Sequence, residues 1–366
     1  MKIPRVNKTA LSTKEKAAIL SELKLVSRSF YLTLKILPGN IFAPAGIAYL
    51  IARYIDNIVD NESFSINSKK SHLYNIRQSF TNATNNREKN ESLIYKIQKD
   101  YPQVLSYKTL FNSLSCEDQH LVSKVLLEIT DGMLFELEKL TNNSPTEVKF
   151  LNTNSELDTY IYKIAGSVGE FFSKLILLHE KKLKLSDSNY FLELSIDFGK
   201  ALQLTNIIRD FNSDLIEGKC YIPKSILANH KLDPSDLLNH SENKVEIALS
   251  ELLELATQYY IRAAIYILYI PKSCTRLRLA ALWPFLIGIE TLQKLSSKKN
   301  LANLTSPIKV KRKWIYMMII KSFLFTHNDK ILKSILDREI QKLSVRISNL
   351  CRGYIIQIIV QSVQLS

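Results

Sequence analysis

The sequence predicts an all-α protein, folded as a single domain over residues 1–366. Glycine and proline number only 9 and 10, too few for the repeated tight turns of an all-β fold. Apolar residues make up 46%, enough for a large core in 366 residues and too many for a disordered chain. Helical periodicity dominates, and no internal repeat, low-complexity tract or Pro/Gly/Ser-rich linker marks a domain boundary.

Taken in order, "KEKAAILSELKLVSRSFYLTLKIL" reads as one helix ending before Pro38, and a second runs from about Pro44 to Asn61. The polar stretches 81–91 and 141–156 read as loops. Between them, "EDQHLVSKVLLEITDGMLFELEKL" is amphipathic, and "DTYIYKIAGSVGEFFSKLILLHE" follows as a largely apolar helix. Ala165, Gly166 and Gly169 form a small-residue face within it, suited to the close approach of a neighbouring helix or a bulky ligand. Asp187 to Asp214 is predicted as a long helix closed by Gly218 and Pro223. From about Asn243 come three or four more helices, broken near Pro271 and Pro307.

The net charge of +14 suits anionic partners, whether nucleic acid, a membrane surface or phosphorylated small molecules. The basic clusters at Lys181–Lys184 and Lys309–Lys313 lack the aromatic interleaving of a nucleic-acid module, so nucleic acid is not expected. Cys116, Cys220, Cys274 and Cys351 lie far apart without metal-ligand spacing, which fits a reducing compartment. The N-terminal "MKIPRVNKTALSTKEK" has no apolar core of a signal peptide behind it. The longest apolar runs, such as "WIYMMII" from Trp314, fall short of the roughly 18 residues that a spanning helix needs. The expectation is a cytoplasmic protein, soluble or peripheral at the inner membrane face.

Two segments carry chemistry. In "ARYIDNIVDN" (52–61), Asp56 and Asp60 stand one helical turn apart on one face, with Arg53 just ahead of them. In "LTNIIRDFNSDLIEGKCYIP" (204–223), Asn206, Asp210 and Asp214 recur every four residues, with Arg209 beside them and Lys219 following Gly218. A solvated face explains one such pair well, but not two oxygen-bearing ridges on apolar helices, each with its own cations. Magnesium explains both. It takes oxygen ligands, keeps several waters, and is usually held by one or two carboxylates together with substrate phosphates. Arg53, Arg209 and Lys219 then bind the phosphate oxygens that the metal leaves free. Zinc does not suit ridges without His or Cys.

Four segments resemble the squalene and phytoene synthase family in that family's order: "SRSFYLTLKILP" (27–38), "AYLIARYIDNIVD" (48–60), "YIYKIAGSVGE" (160–170) and "ALQLTNIIRDFNSDLIEGKCYIP" (201–223). The resemblance covers about residues 15–300, with 307–366 a helical tail. It implies the isoprenoid synthase helical fold around a central apolar cavity. It further implies that Asp56 and Asp60, and Asn206, Asp210 and Asp214, bind Mg2+. Ser27, Arg28, Arg53, Gln203, Arg209 and Lys219 would hold diphosphate, and Tyr160 would serve the first half-reaction. Three positions depart from the family pattern. Lys163 stands where the family often has tyrosine or glycine, Lys219 replaces a common arginine, and "DNIVD" lies between the squalene-type and phytoene-type forms.

The activity so implied is the condensation of two farnesyl diphosphates, through presqualene diphosphate, to squalene with NADPH as reductant, by a monomer. Phytoene, dehydrosqualene or hydroxysqualene synthesis is the alternative within the family. A non-catalytic assembly factor is the alternative outside catalysis, although such proteins lose the aspartates. The tail from Pro307, with "KVKRKW" and the apolar "YIIQIIV" from Tyr354, is expected to favour peripheral contact with anionic membrane.

Overall fold

The structure, a computed structural model, describes residues 12–27, 30–85, 109–141, 147–181, 183, 185–238, 242–296 and 308–350. Helices account for nearly all of these residues, as expected. In chain order they include α1 (Thr13–Val26), α2 (Phe30–Ile36), α3 (Gly39–Val59), α4 (Ile66–Asn85), α5 (Cys116–Lys139), α6 (Asn154–Ile161) and α7 (Ser167–His179). After them come α8 (Ser188–Ile216), α9 (Lys224–Asn229), α10 (Pro234–Leu238), α11 (Glu242–Tyr269), α12 (Thr275–Leu295), α13 (Arg312–Phe325) and α14 (Asp329–Leu350). The chain divides into two compact units, Met1–Leu137 with Glu170–Lys184, and Glu138–Gly169 with Leu185–Ser366. Among the described residues no helix is long and apolar enough to cross a membrane.

In the first unit, Ser12 and Glu15 form a reciprocal capping box that starts α1. The single helix expected up to Pro38 is interrupted at Ser27. Its backbone leaves the helical region (φ −118°, ψ 18°), while its N–H and its hydroxyl both bond back to the Leu23 carbonyl and close the last turn. Pro38 then caps α3, which begins at Gly39 rather than near Pro44. Pro44 lies buried inside the helix at its sixth position, where its missing N–H removes one backbone bond and its ring crowds the Asn40 carbonyl without ending the helix. Residues 41–48 of α3 are all buried, whereas Tyr49, Arg53 and Asp56 are partly exposed and Asp60 is exposed. Downstream, α4 runs to Asn85, so residues 81–85 of the expected loop are helical. With no Gly or Pro there to stop the helix, the Thr81 hydroxyl donates to the Arg77 carbonyl at 3.0 Å. Residues 86–91 of that loop lie outside the described residues.

In the second unit, Thr153 caps α6, so the expected 141–156 loop gives way to helix at Asn154. Its residues 142–146 are outside the described set. Within it, Lys149–Phe150 (β1) pairs in parallel with Lys219–Cys220 (β2), in the register Lys149↔Lys219 and Phe150↔Cys220. The apolar helix expected over 158–180 contains one π turn, Tyr162–Gly166, between α6 and α7. Asp187 caps α8 by accepting from the N–H groups of Asn189 and Tyr190, both at 2.9 Å. Gly218, at φ +82°, turns the chain out of α8 into β2, a conformation that glycine adopts without strain. The break near Pro271 is present as a short 3-10 turn, Lys272–Cys274, whereas Pro307 falls outside the described residues. Cys116, Cys220 and Cys274 are free thiols, and Cys351 lies beyond the described chain.

The small-residue face packs against a helix. A Cβ added to Gly169 would stand 2.0 Å from the Ser195 carbonyl oxygen of α8, and one added to Gly199 would stand 2.1 Å from that of Ala165. The π turn and α8 therefore meet backbone to backbone. On its other flank α8 packs along α11, where the hydroxyls of Thr205 and Tyr260 lie 2.9 Å apart.

A buried arginine closes the C-terminal end of this unit. Arg278, 1% exposed, donates from Nε to the Ile270 carbonyl at 2.8 Å and from Nη1 to the Thr326 carbonyl at 2.9 Å and Asp329 Oδ1 at 2.6 Å. The last carbonyls after α11 and α13 thus share one cation, which favours helix C-termini.

Gly199→Ala should cost about 1–3 kcal/mol or more in denaturant unfolding, because the obstructing atoms are backbone. Gly39→Ala, where nothing lies within 4 Å of the new methyl, should cost nothing and serves as the control.

Candidate active site

The first oxygen ridge lies on α3. Spacing of three to four residues lines up Tyr49, Arg53, Asp56 and Asp60 along one face, while Ile55, Ile58 and Val59 turn into the core. The Arg53 guanidinium is ion-paired with Asp56. Even so, the Asp56 carboxyl is pushed up to about 6: burial disfavours its charge, Asp60 and then Glu136 of α5 repel it, and Arg53 only partly offsets them. Ser27 reaches the same cluster through a side-chain hydrogen bond with Tyr49, whose ring stacks on Phe30 at 5.5 Å. Burial, more than any charge, raises the Tyr49 phenol. Arg28 lies outside the described residues.

The second ridge lies on α8. Gln203, Asn206, Arg209, Asp210 and Asp214 are all partly exposed on a helix whose intervening residues Leu204, Ile207, Ile208 and Phe211 are buried. Asn206 donates to Gln203 Oε1 at 3.4 Å. Arg209 grips its neighbour with two bonds, Nε to Asp210 Oδ1 at 2.9 Å and Nη2 to Oδ2 at 2.5 Å. Lys219 follows on β2, 3.9 Å from Glu217 Oε2. Burial pushes the adjoining Cys220 thiol up to about 12, and the charge of Asp214 adds to the effect. That thiol is no nucleophile.

Tyr160 is buried at the end of α6 and stacks on Tyr221, with ring centroids 4.9 Å apart and hydroxyls 3.4 Å apart. Tyr221 is held by the strand pairing: Lys149 N–H donates to Gly218 O at 2.9 Å, Leu151 N–H to Cys220 O at 3.3 Å, and Lys224 N–H to Leu151 O at 2.9 Å. The π turn begins two residues after Tyr160, and such turns gather at functional sites.

Among the described residues no three His, Cys, Asp or Glu side chains converge as a protein-only metal cage. Magnesium does not require one, because waters and phosphate oxygens complete its shell. The donor set fits that ion. Asp56 is a half-buried carboxylate crowded by two others, and a divalent cation is the partner that would relieve the repulsion.

A sequence model of squalene/phytoene synthase matches residues 23–314, close to the span expected from the motifs. The chain belongs to the squalene/phytoene synthase family. Squalene synthase ERG9 of Saccharomyces cerevisiae is 24% identical over 305 residues, covering 82% of this chain and 65% of that protein. A bifunctional lycopene cyclase/phytoene synthase of Pyrenophora tritici-repentis is also 24% identical, over 278 residues, covering 75% of this chain and 45% of that protein. The chain thus spans between about half and two thirds of the length of such curated relatives. In fold, it is similar to TcSQS in complex with a ligand, with TM-score 0.71 at 19% identity, covering 92% of this chain and 96% of that one. It also resembles the squalene synthase HpnC from Alicyclobacillus acidocaldarius, with TM-score 0.55 at 14% identity, covering 79% and 98%. These likenesses show the isoprenoid synthase fold that the family motifs implied.

Tyr49, Glu136 and Tyr221 escaped the sequence reading. Tyr49 was within reach, one turn before Arg53 on the same ridge. Glu136 and Tyr221 meet Asp56 and Tyr160 only through tertiary packing, which no spacing encodes.

The raised Asp56 carboxyl sets a sign for stability. Without divalent cations the folded state holds a proton that the unfolded chain has lost between pH about 4 and 6, so this group weakens the fold as pH rises through that window, with the full penalty above it. In chelator, Asp56→Asn should therefore raise the melting temperature at pH 7 by a few degrees, with the gain gone by pH 4. A thermal scan in which the variant melts lower than the parent at pH 7 would contradict the crowding.

Proposed function

We propose that this chain is a prenyltransferase that condenses two molecules of farnesyl diphosphate head to head, through presqualene diphosphate, to squalene. The observation that carries this reading is the repeated unit of ridge and cation: on each helix an arginine is bound to an aspartate of the ridge, Arg53 to Asp56 and Arg209 to Asp210. Each arginine balances a carboxylate in the free protein and can turn to a diphosphate oxygen when a metal takes over that carboxylate. Asp56 and Asp60 on one helix, and Asn206, Asp210 and Asp214 on the other, are the proposed magnesium ligands. Magnesium supplies the positive charge that stabilises a departing diphosphate.

The chain's own groups do the rest. Ser27, Arg28, Arg53, Gln203, Arg209 and Lys219 orient the diphosphates, so that the charge developing as the first substrate ionises meets donors held beside it. Lys219 does so as a point charge without the two-pronged grip of an arginine. Tyr160, buried against Tyr221, offers a hydroxyl in an apolar wall, where a carbocation is shielded from water. NADPH, where used, supplies the hydride that ends the sequence. The relatives support a second product class equally: a phytoene synthase and a squalene synthase match at the same 24% identity, so phytoene, dehydrosqualene and hydroxysqualene stay as alternatives. A non-catalytic assembly factor would have no use for two complete ridges. We place the protein in the cytoplasm as a monomer, in peripheral contact with a membrane that can receive an insoluble hydrocarbon.

The deciding experiment is mass-spectrometric product analysis with farnesyl and geranylgeranyl diphosphates, each with and without NADPH. Squalene from farnesyl diphosphate with NADPH is the expected result. Turnover should vanish in excess chelator and return with Mg2+, and full turnover in chelator would sink the metal assignment.

Two substitutions separate binding from chemistry. Asp56→Ala should weaken diphosphate binding and slow turnover together, whether the ordinary substrate or synthetic presqualene diphosphate is supplied. Tyr160→Phe should keep substrate binding, cost about 1 kcal/mol of stability if an ordinary hydrogen bond is lost, and regain turnover on the cyclopropyl diphosphate. Wild-type rates from Tyr160→Phe on farnesyl diphosphate would assign the tyrosine to the core alone.

A further inference from the structure

Helix α13, RKWIYMMIIKSFLF, is apolar at ten of fourteen positions, yet only Met318 and Ser322 are buried. A helix that is apolar on all sides normally lies inside a protein or against lipid. Here Tyr316, Met317, Ile320, Phe323 and Leu324, spaced to share one face, stand between 46% and 80% exposed. The opposite side is fastened: Ser322 accepts a 2.9 Å hydrogen bond from Trp283 Nε1 of α12, and Arg278 holds the carbonyl of Thr326 where the helix ends. The helix cannot roll this face inward without breaking both attachments.

Along the chain, the charge on either side of this helix has one sign. From Thr291 to Asn328 the sequence contains no Asp or Glu and eight Lys or Arg. Lys309, Lys311, Arg312 and Lys313 are exposed at the helix start, and Lys321 is exposed within it. At fourteen residues, about 21 Å, α13 is too short to span a bilayer core of about 30 Å. The acids that line the groove beside Met317 and Lys321, Glu290 and Glu339, are each ion-paired, Glu290 with Lys294 and Glu339 with Arg338 and Lys342. An exposed apolar stripe whose unpaired neighbours along the chain are cations has the make-up of a helix that lies in the headgroup layer.

We propose that α13 is the membrane-docking element of this protein, laid flat on anionic phospholipid. Tyr316, Met317, Ile320, Phe323 and Leu324 enter the acyl boundary while the surrounding lysines and arginine meet lipid phosphates. This rests on the peripheral contact proposed above and gives it an address, independent of the reaction. The second apolar segment expected to contribute, 354–360, lies outside the described residues and is not needed for it.

Vesicle flotation tests the assignment with the full chain, using phosphatidylcholine vesicles with and without phosphatidylglycerol. The wild type should float only with phosphatidylglycerol and be released by high salt. Ile320→Glu with Leu324→Glu should abolish flotation while the melting curve stays in place, since both side chains are exposed. Lys311→Gln with Lys313→Gln should lower the partition coefficient about five-fold for each charge removed. Wild type left in the soluble fraction, flotation on phosphatidylcholine alone, or an Ile320/Leu324 variant that floats normally would each overturn the proposal. So would a dimer that the Ile320/Leu324 pair dissolves while vesicles leave the protein untouched, which would assign the face to a second copy of the chain. Flotation does not read catalysis: an inactive chain that floats loses only the enzymatic reading, and an active one that does not float loses only this one.

Discussion

The contact between the 162–169 segment and α8 is the constraint from which the second unit is built. Two backbones can meet at this range only where neither carries a side chain, and Gly169 and Gly199 each supply that gap for the carbonyl of the other segment. With α8 held there, Tyr160 is fixed at the end of α6 and the oxygen ridge is fixed along α8. The π turn widens the helix by one residue in the same stretch. Three features that look separate in the sequence, a tyrosine, a small-residue face and an aspartate repeat, thus answer to one packing requirement.

The ridges follow an opposite logic. Electrostatics is strained at Asp56, where Asp60 and Glu136 crowd a half-buried carboxylate, and on each ridge an arginine is bound to an acid rather than left to solvent. Such an arrangement is poor design for stability alone, because half-buried like charges raise the energy of the fold. It makes sense for a site whose counterions arrive with the ligand, and polar strain of this kind concentrates where function is located.

Much of this was legible beforehand, for identifiable reasons. The long helix of α8 was marked by an Asp cap, an unbroken apolar period and a glycine exit, all local signals. The two ridges were visible because a four-residue spacing reports a shared helix face directly. The break at Ser27 was not, because no Gly or Pro marks it and serine sits in many unbroken helices. Pro44 misled in the other direction, since residues 41–48 around it are all buried and their packing carries the helix through the lost bond. Residues 81–85 looked like loop by composition, yet polar residues remain helical when nothing stops them. Pairing of Lys149 with Lys219, 70 positions apart, was beyond any window-based reading.

That pairing has a corollary for any exchange of segments. Two residues of strand are too few to be stable in isolation, so β1 exists only while β2 is opposite it, and β2 in turn sets where Lys219 and Tyr221 stand. The stretch before Asn154 and the stretch after Gly218 therefore form a single structural block, though more than sixty residues separate them along the chain. Exchange of either one with a distant relative, in a chimera or by recombination, would displace the residues that follow the second ridge unless its counterpart came with it.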